Sequence, residues 1–158
     1  FSVCKSLESV YLPNALSLDN NFAGCINLTD IYIPKVTSIS YNTFYNCNFT
    51  KLELPSLIEP DNHIIRNCQN LKTVSVSSLE NISWTFLADC PNFDTFIIKN
   101  NNAICTLGTT DVFPNSKIAS GEGFIYVPDA FVDDYKSATN WSIFADQIKP
   151  LSEYVETE

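Results

Sequence analysis

Methionine is absent from the chain, histidine occurs once, glycine four times, and nine basic residues face eighteen acidic ones. Each scarcity removes a class of function. A net charge of -9 opposes the phosphate-neutralising contacts on which nucleic-acid binding rests, and it is equally unsuited to anionic lipid surfaces. Neither is expected as a partner. A single histidine, His63, with no C-x-x-C pair gives too few converging donors for zinc. Four glycines supply no phosphate-cradling loop, and no G-x-S-x-G elbow is present to present a serine nucleophile. No apolar run approaches the ~18 residues of a membrane span, and no secretory signal opens the chain. Neither a cofactor nor direct membrane insertion is expected.

What remains is ordinary in bulk and regular in detail. A chain of 158 residues that is 45% hydrophobic and 17% charged can fold around one real core. It begins at Phe1 inside a repeat, which reads as a piece of a longer, N-terminally continued array. Cysteines fall at Cys4, Cys25, Cys47, Cys68 and Cys90, spaced 21 or 22 apart. Three residues before each stands an apolar side chain: Phe1, Phe22, Phe44, Ile65 or Leu87. Three residues after most of them comes Leu7, Leu28, Leu71 or Phe93, whereas the third repeat is one residue shorter there and places Phe49.

From that point each repeat alternates, with Val10 and Leu12, Ile31 and Ile33, Leu52 and Leu54, Val74 and Val76, Phe96 and Ile98 two apart. This is strand periodicity, one face in and one face out. Pro13, Pro34 and Pro55 close the first three strands, where a missing N–H does least harm. A second apolar pair follows, such as Val36 and Ile39 or Leu79 and Ile82. After it, Asn20-Asn21 or Asn42-Thr43 is placed to cap a helical turn carrying the Phe and Cys. One repeat cannot bury its apolar face alone, and a period near 21 with one strand per unit describes a leucine-rich-repeat solenoid. Its fold class is mainly β with α. Adjacent coils ~4.8 Å apart would stack the five cysteines into a column of small apolar side chains.

The pattern F-x-x-C-x-x-L-x-x-I-x-I-P, whole at residues 22–34 and partial in the other four repeats, resembles the BspA-like leucine-rich-repeat family of bacterial surface proteins and some protist proteins. The likeness covers residues 1 to about 99. It departs at Ile65 and Leu87, which stand for Phe, and at Ser77 and Lys99, which stand for Pro. It implies a cell-surface or secreted setting and adhesion to proteins, host extracellular matrix among them.

Beyond Lys99 the period fails, and residues 100–158 read as a separate capping module on repeats 1–99. A strand is expected at Phe124–Val127, followed by Pro128. A helix should then begin at Asp129 as its cap, with Phe131, Val132, Tyr135 and Ala138 inward. A second helical turn would carry Trp141, Phe144, Ala145 and Ile148 and end at Pro150. The open end of a repeat array exposes strand edges, which such a terminal piece covers. The phrase YVPDAFVDDYKSATNWSIFADQIKPL resembles the closing module of some bacterial BspA-like proteins, which implies a bacterial origin and no chemistry.

Side chains at one equivalent repeat position point the same way, whereas a disulfide needs Cβ atoms about 3.8 Å apart and turned toward each other, so the cysteines are expected free and buried. Cys105 lies off the column, and core packing is its simplest role. His63 reads as a turn residue, Asp133 and Asp134 are helix neighbours that cannot face each other, and Glu156 and Glu158 fall in a loose tail. The sequons at Asn27, Asn48, Asn81 and Asn140 are most simply Asn-rich turns in a bacterial protein.

Surface is what is left for function. The outward strand positions should form two columns on a concave sheet: Tyr11, Tyr32, Glu53, Ser75, Ile97 and Ser9, Asp30, Lys51, Thr73, Thr95. Tyr11, Tyr32, Glu53, Ser75, Asp30 and Lys51 are the expected binding residues of a monomeric, non-catalytic module, since Tyr offers contact area at small entropic cost. Two alternatives stand beside that reading. The tyrosines could serve cross-strand packing alone, and the chain could be a spacer that displays another domain and binds nothing.

Overall fold

The computed structural model describes residues 1–156, so Glu158 of the expected tail lies outside the described residues. Its regular structure is mostly strand with a small helical portion. Alternating apolar residues place one strand in each repeat, at Ser9–Tyr11, Asp30–Tyr32, Lys51–Leu54, Thr73–Val76 and Thr95–Ile98. Every pairing is parallel and in register: Ser9 lies opposite Asp30, Lys51 opposite Thr73, and Thr73 opposite Thr95. Equivalent residues of successive repeats therefore sit side by side, and Leu52, Val74 and Phe96 all turn into one core.

Two further sets of short parallel strands complete the walls of that core. Ser17–Leu18 pairs with Ser38–Ile39, and Asn81–Ile82 with Thr106–Leu107. Phe44–Tyr45, Ile65–Arg66 and Leu87–Ala88 form the other set. The segment bearing Phe and Cys, expected as a helical turn capped by Asn, is thus extended at Phe44–Tyr45, Ile65–Arg66 and Leu87–Ala88, whereas residues 22–24 make a turn closed by the Cys25 N–H on the Phe22 carbonyl. The reason for the extension lies in the flanking residues, Asn42 and Asn46 in one repeat and His63 and Asn67 in the next, which all adopt positive φ. That conformation, which Asn tolerates better than most side chains, turns each N–H toward the neighbouring repeat. Asn42 donates to the His63 carbonyl, Asn46 to Arg66, His63 to Thr85 and Asn67 to Ala88. The first N–H groups of a helical turn have no acceptor within it, and here they find one on the next repeat instead. Inside, Phe22 and Phe44 stack at 6.1 Å, with the exposed Phe1 laid on Phe22 at 5.9 Å, and burying a side chain of this size stabilises by about 1.5–3 kcal/mol.

The main sheet divides between Asp30–Tyr32 and Lys51–Leu54. The division falls at the repeat that has one residue fewer between its cysteine and the next apolar residue, Cys47 to Phe49 against Cys25 to Leu28.

Stacking continues past Lys99, where the cysteine period stops. Thr95 pairs with Phe124, 29 positions on, so the strand Phe124–Val127 joins the same sheet as Lys51–Leu54, Thr73–Val76 and Thr95–Ile98. Phe86 donates to the Val112 carbonyl and Asp89 to that of Pro114. Phe113-Pro-Asn-Ser116 stands where earlier repeats carry Phe-x-x-Cys: Asn115 has φ 57° as Asn67 has 55°, and Ser116 is buried like the cysteines. Two glycines permit this close stacking. A Cβ on Gly108 would lie 2.5 Å from the Ser83 carbonyl oxygen, and one on Gly123 2.6 Å from that of Asp94.

After Pro128 the chain makes a 3-10 turn at Asp129–Phe131, a short α-helix at Val132–Ser137 and a 3-10 stretch at Ser142–Gln147. Two expectations are corrected here. Asp129 does not cap the helix; its carboxylate accepts the Ser152 N–H at 3.0 Å. Ile148 belongs to no helix, because Ile148–Pro150 pairs with Phe124–Val127 as an edge strand. An open row of strand donors and acceptors outcompetes another helical turn, and Pro150 ends the strand where no ladder donor is needed. Tyr135 and Trp141 fasten this segment to the rest: the Cys105 N–H donates to Tyr135 Oη at 2.8 Å and Trp141 Nε1–H donates to the Cys105 carbonyl at 2.6 Å.

Candidate functional site

All six cysteines are free. Cys25, Cys47, Cys68 and Cys90 are buried as a column, and all four use the thiol as a donor: Cys25 to the Phe1 carbonyl, Cys47 to Phe22 and Cys68 to Phe44, one repeat back, and Cys90 to Ala88 of its own repeat, at 3.1–3.3 Å. Cys4 departs from the expected burial and is exposed, since its repeat has a neighbour on one side only among the described residues. Burial pushes the Cys47 thiol up to about 12, with the neighbouring Cys25 adding to the shift, and burial alone pushes Cys105 up to about 12. Such thiols are poor nucleophiles and poor metal ligands, because both roles need the thiolate. No group of three or more His, Cys, Asp or Glu side chains gathers as a metal site among the described residues.

The remaining chemical candidates sit in structural roles. His63 has φ 50° and meets the edge of Tyr41 at 5.9 Å. Asp133 and Asp134 lie exposed in the first turn of the short helix. The sequon asparagines are tied into the stacking: Asn27 donates to the Lys5 carbonyl, Asn70 donates to Asn48, Asn81 to Glu59, and Asn140 to the Leu107 carbonyl.

The outward face of the main sheet brings the other named residues together. Tyr11 and Tyr32 are register partners whose rings stack at 5.0 Å and 7°, yet they remain 72% and 49% exposed. Beside them the division of the sheet opens a cavity of about 400 Å³ lined by Asp30, Tyr32, Thr50, Lys51 and Glu53. Lys51 Nζ lies 2.9 Å from Glu53 Oε1 and also pairs with Glu156. The two carboxylates push the Lys51 ammonium up, Glu156 contributing most, and Lys51 in turn holds the Glu156 carboxyl below its usual range.

Ser75 and Ile97 lie on this face at the register positions of Glu53, but they are 5% and 2% exposed. Their expected exposure is corrected, and the C-terminal segment does not hang loose: Tyr154 and Val155 line one cavity with Thr73 and Thr95, on the strands that carry Ser75 and Ile97. Tyr154 packs against Tyr126, the register partner of Ile97, at 5.1 Å, and Glu156 reaches Lys51. The covered positions lie between these two anchors.

Residues that sequence reasoning missed occupy the same face. Phe124, Tyr126 and Tyr154 line a second cavity of about 420 Å³ with Lys72, Thr95 and Lys117. Lys149 Nζ stands 4.7 Å over the Phe124 ring. The signal was in the sequence, since Ile125-Tyr-Val-Pro128 repeats Ile31-Tyr-Ile-Pro34 and places Tyr126 as the counterpart of Tyr32.

Comparison with known proteins adds a family and a fold. The family described as "BspA type Leucine rich repeat region" matches in six copies over residues 1–119. No curated protein matches the chain. A crystal structure of a leucine-rich repeat protein from Bacteroides ovatus is similar, with a TM-score of 0.56 and 18% identity. The similarity covers 83% of this chain and 36% of that one, so the chain spans about a third of that protein.

Proposed function

The chain belongs to the BspA type leucine-rich-repeat family, and from that premise we propose that it is a non-catalytic binding module of a cell-surface or secreted protein. In this reading the stacked repeats are a solenoid that residues 100–158 close as a cap. The module acts as a monomer, and its partner is a protein of the extracellular space, matrix proteins included. It binds through the outward face of the main sheet.

One observation carries the reading: the Tyr11–Tyr32 stack is left in water. Two aromatic rings packed only on each other gain a modest pair energy, about 0.5–1.5 kcal/mol, and keep most of their surface available. Paired tyrosines beside Asp30, Lys51 and Glu53 have the composition of a recognition patch, aromatic area with polar groups to fix orientation. A spacer would need no such face.

The test is attachment to surfaces coated with extracellular-matrix proteins. The double change Tyr11→Ala, Tyr32→Ala is expected to abolish attachment while leaving the thermal transition in place. Unchanged attachment by the double variant, with loss only when the array is shortened, would replace the binding reading with the spacer.

A further inference from the structure

We propose that the outward face of the main sheet takes an extended acidic polypeptide segment with an aromatic residue two positions before a carboxylate, and that Tyr154–Glu156 occupies this groove as a built-in competitor. The inference rests on the reading of this face as the binding surface and names its ligand class and its regulation.

The groove has two ends of different chemistry. At one end Tyr126 offers its ring to Tyr154 in an edge-on contact, with Phe124 beside it. At the other, Lys51 pairs with Glu156. Tyr126 and Glu53 are separated by the strands carrying Ile97 and Ser75, so the anchors stand about three strand spacings apart, roughly 14 Å. Two residues of extended chain rise about 6.6 Å, and the long side chains of Tyr154, Glu156 and Lys51 close the rest. The segment crosses the strands, and Ser75 and Ile97 are buried on a face where Tyr11 and Tyr32 are open.

Charge follows the same line. In a chain of net charge -9, Lys51, Lys72, Lys99 and Lys149 stand on or at the ends of the strands of this sheet, and Lys117 lines the cavity beside it. Lys117 is partnered by Asp94 at 3.5 Å, and Lys149 by the Phe124 ring. Lys51, already 2.9 Å from Glu53 Oε1, also pairs with Glu156 of the segment Leu-Ser-Glu-Tyr-Val-Glu at 151–156, which carries two carboxylates. Asp30, Glu53, Asp94 and Glu122 share this face, so the complementarity to an acidic segment is local to individual lysines, Lys51 first, and not spread over the sheet.

The contact is built to be displaced. Its polar anchor is an ion pair between half-exposed side chains, a type that contributes little on its own. Its aromatic anchor is a single ring pair. What holds the segment is tethering, which gives an effective concentration of about a millimolar. A partner with the same pattern and more contact area displaces it, and weakening the tethered copy raises affinity for an external one.

The experiment uses a fluorescein-labelled, end-capped peptide of residues 151–156 and anisotropy on intact chains. Wild type is compared with Tyr154→Ala/Glu156→Gln and with Glu156→Gln alone, which touches no core group. Both variants are expected to bind the peptide more tightly than wild type, the double variant by roughly tenfold or more. Adding Lys51→Ala to the double variant removes the gain, and so does a peptide with Gln in place of its last Glu. Equal affinity across wild type and variants, or no binding to either variant, overturns the proposal. The attachment assay separates the two readings. A silent peptide with tyrosine-dependent attachment sinks the competitor and leaves the binding face, whereas loss of both removes the face itself.

Discussion

The thiol of Cys47 donates to the carbonyl oxygen of Phe22, 25 residues earlier, across 3.3 Å. The same carbonyl already accepts the Cys25 N–H, so the sulfur fills its second lone pair while its bulk fills the space between repeats. Cys25 with Phe1 and Cys68 with Phe44 repeat the arrangement. One cysteine per repeat is therefore a packing residue with a weak donor, suited to a site that wants both.

Cys68 is fully buried in this column. Changing Cys68→Ala removes the sulfur from a packed core and the donor from the Phe44 carbonyl, and a loss of about 1–2 kcal/mol is expected. A urea titration reads it as a lower midpoint with an unchanged slope. No change in the midpoint would mean that the column is filled but idle.

Tyr135→Phe probes how the C-terminal segment is fastened. The change keeps the ring against Trp141 and takes away the acceptor of the buried Cys105 N–H. An unpaired buried donor costs about 1–3 kcal/mol. Hydrogen exchange at Cys105 should accelerate before that of the main sheet does, and uniform acceleration would show that the segment and the sheet open as one unit.

Asp89 supplies the pH dependence. Its carboxylate accepts from Asn115 Nδ2 at 2.7 Å and from Arg66 Nε at 3.1 Å, joining three successive repeats. These bonds, Asn115 first and Arg66 second, hold its pKa below the usual carboxylate value. A folded-state pKa below the unfolded one means stability that is fully present above the unfolded carboxylate range and is lost as pH falls through the depressed value. Wild type should lose urea resistance on that acid limb, and Asp89→Asn should flatten it. Parallel acid limbs would assign the loss to other carboxylates.

Much of this molecule is legible in its sequence because stacking repeats its constraints. Alternation at Ile31 and Ile33 or Val74 and Val76 marks strands, since one face must be dry and the other wet. Spacing of the cysteines marks equivalent places. What the sequence hides is whatever breaks the count. Phe113-x-x-Ser116 continues the pattern with serine in the cysteine place, but the loops around it lengthen the offset to 29, and a reading keyed to cysteine ends at Cys90. Short strands at Phe44–Tyr45 and Ile65–Arg66 are equally concealed, because two-residue segments carry no periodicity and their geometry comes from positive φ at Asn42, Asn46 and His63. The burial of Ser75 and Ile97 at outward strand positions is a tertiary fact with no local signature, as is the return of Tyr154 and Glu156 to this sheet.

The account rests on the column: if the cysteines are structural, function belongs to the face outside them. Thiol titration with a chromogenic reagent, on the native chain and then in denaturant without reductant, tests this most directly. One thiol, Cys4, should react at once, and the other five only after unfolding, because burial keeps reagent out and holds thiols such as Cys47 and Cys105 protonated near neutral pH. Fewer than six thiols in the denatured chain would reveal disulfides, and several fast thiols in the native chain would open the column to solvent. Either result contradicts the packing described above.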